Sequence, residues 1–169
     1  MTLLIALPLA AAGLFAAATN LPERGAPPSS TQVPAAVSPL AGAWSLDVAR
    51  IPEEERPRSV TIAFAPVADG RWHTEVTVES PDGAIRKAQS TAALDGVAVP
   101  VAGSLPGIES VSLRQPDPGT LVMTVGKGGQ RVSTRVYTVA ADGKSMTETI
   151  VWAAEGMPDM VATTFNRIG

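Results

Sequence analysis

The chain has 169 residues, with 13 Lys and Arg against 16 Asp and Glu, a formal net charge of -3, one histidine and no cysteine. No basic field exists to attract a nucleic-acid backbone, and disulfides, thiolate metal sites and cysteine nucleophiles are ruled out. A zinc site would have to combine His73 with several carboxylates, so neither a metal nor another cofactor is expected.

Residues 1–18 read as a signal peptide. Leu3 to Ala18 is an unbroken apolar run ending in Ala16-Ala17-Ala18, a small-residue cleavage pattern. The run is shorter than the about 20 residues a membrane span needs, although no Lys or Arg precedes it as a signal peptide would have. The competing reading is an uncleaved N-terminal anchor. Cleavage would leave no segment able to span a membrane and would place the mature protein in the periplasm or outside the cell. Residues 19–39 follow with Pro22, Pro27, Pro28, Pro34 and Pro39 among Ser, Thr, Ala and Gln. Too little apolar surface recurs there to offset the entropy of ordering it, so this stretch reads as a disordered, partly polyproline linker.

From Leu40 to residue 169 the apolar pattern has a period of two, the mark of strands with one buried face. Ile51 to Pro57 offers at most one helical turn between Pro52 and Pro57. Val60, Ile62 and Phe64 alternate with polar or small residues. Trp72, Thr74, Val76 and Val78 alternate with His73, Glu75, Thr77 and Glu79. Val111 and Leu113 come next, then Leu121, Met123 and Val125. In the following strand Val132, Thr134, Val136 and Thr138 are read as inward, against Arg131, Ser133, Arg135 and Tyr137. Asp69-Gly70, Asp82-Gly83, Asp95-Gly96, Gly128-Gly129 and Asp142-Gly143 separate the runs and supply the positive φ that tight hairpins require.

The expected fold is all-β: a single antiparallel up-and-down β-barrel of about eight to ten strands, since closure hides the edges of so long a meander. A two-sheet sandwich is the runner-up. Gly42-Ala43-Trp44 resembles the Gly-x-Trp that opens the first strand of lipocalins and related calycin barrels. Asp95-Gly96, Pro100-Val101-x-Gly103, Ser110-Val111-Ser112-Leu113-Arg114 and Ala141-Asp142-Gly143-Lys144-Ser145-Met146-Thr147 resemble, in that order, a group of lipocalin-like exported bacterial proteins of no established function. The resemblance implies a barrel whose end is closed by Arg167 packing across Trp44.

Little in the sequence points to catalysis. His73 reads as a surface residue, Glu53-Glu54-Glu55 as a solvated run, and Gly126-Lys127-Gly128-Gly129 as a hairpin turn without the spacing of a phosphate loop. Arg131 and Arg135 read as an ordinary wet face. Met146, Glu148, Ile150 and Trp152 share a face, so Glu148 is either a carboxylate inside an apolar lumen or, the favoured reading, is turned to water.

The leading expectation is a non-catalytic barrel binding a small apolar or amphipathic ligand. The lumen candidates are Val60, Ile62, Phe64, Trp72, Val76, Val78, Val111, Leu113, Met123, Glu148 and Trp152. The alternative is a filled barrel that meets an envelope protein through its outer face. An isomerase or hydratase using Glu148 is the third reading.

Overall fold

A computed structural model describes residues 37–153, 156 and 160–168. The expected signal peptide and nearly all of the linker lie outside these residues. Among the described residues no helix is long and apolar enough to cross a membrane.

The architecture is an all-β antiparallel barrel. Its strands are β1 (Gly42–Leu46), β2 (Ser59–Pro66), β3 (Trp72–Glu79), β4 (Ile85–Ala92), β5 (Val99–Pro100), β6 (Ala102–Gly103), β7 (Ser110–Asp117), β8 (Thr120–Lys127), β9 (Gln130–Val139), β10 (Ser145–Trp152) and β11 (Val161–Ile168). Short 3-10 turns occupy Val48–Arg50, Glu53–Glu55 and Ala68–Gly70. The sheet order is β5-β7-β8-β9-β10-β11-β1-β2-β3-β4-β6. Nearly every strand therefore pairs with its sequence neighbour, and β1 joins the last strand to the second.

The hairpin chemistry matches the sequence. Between β2 and β3, Asp69 and Gly70 sit at φ 67° and 70°, the paired left-handed conformation that suits strand twist. Among the described residues eleven strands are present, one more than the upper expectation, because two of them are only two residues long. These two form a seam. Val99 and Pro100 ladder with β7, and two residues later Ala102 and Gly103 ladder with β4, so one passing segment joins the two free edges of the sheet. Val101 N–H donates to the Glu109 carbonyl at 2.9 Å and Ser104 N–H to the Lys87 carbonyl at 2.7 Å. At Gly103, φ is 134° and the Lys87 carbonyl lies where a Cβ would stand, so the two backbones meet as closely as they do only because a side chain is missing.

The core fills one end of the barrel. Leu40, Trp44, Phe64, Trp72, Ala92, Leu113, Leu121 and Met146 are buried together there. Trp44 donates its indole N–H to the Leu40 carbonyl at 3.0 Å, and the Arg167 guanidinium lies 4.0 Å over its ring. Arg167 also donates to the carbonyls of Ala41 at 2.8 Å and Gly143 at 2.7 Å, and to that of Pro39. A cation over an indole face is favourable, and here it also gathers the ends of three chain segments over the barrel's base.

Candidate functional site

The other half of the barrel is not filled. A cavity of about 380 Å³ opens inside it, lined from every long strand and from the segment between β6 and β7. Alternation along the strands produces this lining, because every second residue faces the lumen. Leu46, Val60, Ile62, Val76, Val78 and Ala88 form one wall, and Val111, Met123, Val125 and Ile150 form much of the other. Val101, Leu105, Pro106 and Ile108 close over part of the mouth. The lining is therefore mainly aliphatic, and polar side chains are few.

Four of them, Arg135, Tyr137, Glu148 and Thr163, are grouped, whereas Thr74, Gln89 and Ser90 stand on β3 and β4. Glu148 is buried, at 5% exposure, on the inward face of β10 between Met146 and Ile150. Its Oε1 accepts from Arg135 Nη1 at 2.9 Å and from the Tyr137 hydroxyl at 2.8 Å. Its Oε2 accepts from the Thr163 hydroxyl at 3.0 Å. Ladder register brings these groups together: Glu148 sits opposite Tyr137 on β9 and opposite Thr163 on β11. The Tyr137 ring meets Phe64 edge-on, with centroids 5.2 Å apart, so its hydroxyl reaches the cavity while its body belongs to the core.

The electrostatics follow from burial. Desolvation first, and the neighbouring Glu148 charge second, hold the Tyr137 phenol well above its ordinary pKa. Burial alone would lower the Arg135 guanidinium, but Tyr137 and Glu148 outweigh it and raise it. Three side-chain groups are buried without a hydrogen-bond partner among the described residues, the hydroxyls of Thr74 and Ser133 and Arg135 Nε; Thr74 and Arg135 are cavity-lining residues.

Of the residues expected in the lumen, Val60, Ile62, Val76, Val78, Val111, Met123 and Glu148 line the cavity. Phe64, Trp72 and Leu113 are buried in the closed end instead. Trp152, the last residue of β10, is only half-buried and lines neither core nor cavity, because the strand ends there at the rim. The favoured solvent-facing reading of Glu148 is corrected: a cation, a phenol and a hydroxyl supply what water would have given it. The phase of β9 is corrected too. Ser133, Arg135 and Tyr137 face inward, and Val136, read as inward, falls on the opposite face. Arg135 is therefore no wet-face residue. Tyr137, Arg135 and Thr163 escaped the sequence reading. Glu148 between two apolar inward neighbours was the available signal, since a carboxylate there demands a cation on an adjacent strand.

No protein-family model and no curated protein sequence matches this chain. Solved structures do: a fatty acid binding protein of Schistosoma mansoni in complex with arachidonic acid aligns with a TM-score of 0.53 at 13% identity, over 79% of this chain and 98% of that one. The secretory abundant heat soluble protein 4 of Ramazzottius varieornatus gives 0.52 at 13% identity, over 78% and 96%. A mutant of the fluorescent protein UnaG gives 0.52 at 11% identity, over 79% and 99%. This chain shares its β-barrel fold with these structures. At such identities the likeness concerns the fold alone.

Proposed function

We propose that this barrel binds a small apolar or amphipathic molecule in its lumen and performs no chemistry on it. The observation that carries this reading is the aliphatic cavity of about 380 Å³ with one polar cluster inside it, a size and composition common to small-molecule sites. The Schistosoma mansoni neighbour of the same fold is a fatty acid binding protein in complex with arachidonic acid, which supports a ligand-binding reading of this barrel. Glu148 has both oxygens engaged by protein donors, which weighs against a free catalytic base. The open lumen weighs against a filled barrel acting only through its outer face. The apolar run Leu3 to Ala18 supports export to the periplasm or beyond, where a chain without cysteine is indifferent to oxidation.

Native mass spectrometry of protein purified from its own host, with dye displacement by apolar and amphipathic compounds, tests the binding. A lipid-like adduct and saturable displacement are expected, both weakened in Val76→Phe, whose ring takes up part of the cavity. A barrel that carries no adduct and whose dye nothing displaces ends this reading. The intact mass of the same material should begin after residue 18.

A further inference from the structure

The polar part of the cavity is already balanced in charge. Arg135 and Glu148 contribute one positive and one negative charge at 2.9 Å. The Tyr137 phenol stays protonated and donates to Glu148, as does the Thr163 hydroxyl. Among the described residues no other Lys, Arg, Asp or Glu lines the cavity. What the lining has left to offer is neutral or already paired: the hydroxyls of Thr74 and Ser90, the Gln89 amide, and the part of the Arg135 guanidinium not bonded to Glu148. Arg135 Nε and the Thr74 hydroxyl lie buried without partners among the described residues. Thr74 is 3% exposed on β3, on the far side of the barrel from β9 and beside Ser90 of β4, so polar residues line two walls.

A buried donor without an acceptor is costly, and a ligand that supplies an acceptor relieves the cost. The charge on that acceptor matters. A ligand carboxylate reaching Arg135 would share one guanidinium with Glu148, and two anions so placed in an apolar cavity cannot both stay ionised without penalty. A neutral carbonyl or hydroxyl oxygen accepts from either donor and meets no such repulsion.

We propose that the lumen selects an uncharged ligand, an apolar body carrying a neutral oxygen acceptor such as a fatty alcohol, aldehyde or ester, over a free carboxylate. The inference rests on the lumen being a ligand site.

The test uses the whole protein with 1-decanol, methyl decanoate and sodium decanoate, each kept below its micelle or solubility limit, by calorimetry and dye competition. The alcohol and ester should bind at least about tenfold tighter than the carboxylate. Wild-type protein that does take decanoate should take up a proton with it, read as a heat that varies with the buffer's ionisation enthalpy. The neutral probes should show no such dependence. Glu148→Gln should raise decanoate affinity by about tenfold relative to that of decanol. The proton-linkage measurement on wild type does not depend on that variant folding. Decanoate binding as tightly as decanol without proton uptake overturns the inference and leaves the lumen a ligand site. Failure of all three probes to bind or displace dye overturns both.

Discussion

Arg135→Met should destabilise the barrel chiefly by stranding Glu148. The carboxylate is buried, with its side chain 6% exposed, and the variant removes the guanidinium bonded to it at 2.9 Å while Tyr137 and Thr163 remain. Removing one partner of a buried pair costs about 3–5 kcal/mol. Arg135 is about a quarter exposed, its side chain at 24%, and two hydroxyls still serve Glu148, so the loss falls at or just below the bottom of that range, about 2–3 kcal/mol. For a domain of this size that is a fall of roughly 6–10 °C in Tm, or roughly 1–1.5 M in the urea midpoint. The assay is equilibrium unfolding followed by the fluorescence of the three tryptophans. The decisive variant is Arg135→Met with Glu148→Gln. The amide still accepts from Tyr137 and has no charge to strand, so the double variant should recover most of the loss, a coupling of about 2 kcal/mol. If the two single losses simply add, or if Arg135→Met stays within about 0.5 kcal/mol of wild type, the buried ion pair does not have the energetic role assigned to it.

Tyr137 is the chain's only tyrosine, and its pKa is raised in the folded state. Its contribution is therefore fully present below the ordinary value of 10.0 and is lost as pH climbs from there toward the folded pKa. Alkaline titration should show no tyrosinate absorbance until the barrel unfolds, and Tyr137→Phe should flatten that alkaline loss of stability; a gradual phenolate signal from folded protein would contradict this. Arg167→Ala should cost about 2 kcal/mol through the lost Trp44 contact and carbonyl bonds. Arg167→Lys should restore little of it, because an ammonium cannot reach three divergent carbonyls while covering the ring; full rescue by lysine would refute the geometry. Gly103→Ala should loosen the seam, raising amide hydrogen exchange at Ala102 to Ser104 and along β4 ahead of the rest of the sheet. Unchanged exchange there would mean that the close approach to Lys87 is not needed.

The barrel was legible where one face is apolar and the other wet. Trp72 to Glu79 alternates cleanly, and Asp69-Gly70 marks its turn, so strand, register and hairpin were all readable. The lumen was less so, because its polar residues invert the rule. On β9, Val132 and Val136 advertise an apolar face, yet Arg135 and Tyr137 point inward to serve Glu148 across the ladder. A register shift where β8 passes from Val125 to Gly126, opposite Ser133 and Arg131, further disturbs the pattern around Val132. The seam was unreadable for another reason. Two residues on each side of Val101 are too few to show any period, and their partners are settled by where β4 and β7 happen to end. Phe64, Trp72 and Leu113 were placed rightly on the inner face but at the wrong height, since alternation assigns a face and not a position along the barrel axis.

The pairing of β1 with β11 has a consequence for how the protein reaches its folded state. Every other long ladder joins neighbours in the chain and can form as a local hairpin, whereas Trp44 opposite Arg167 joins the two extremities of the domain. As the chain emerges in order, β1 and β10 must wait with an unpaired edge each until β11 arrives between them. Nonlocal closure of this kind sets the pace of folding in β proteins, and exposed edges invite pairing with other chains. A chain interrupted before Val161 would therefore hold most of its hairpins and still be the species most prone to aggregate.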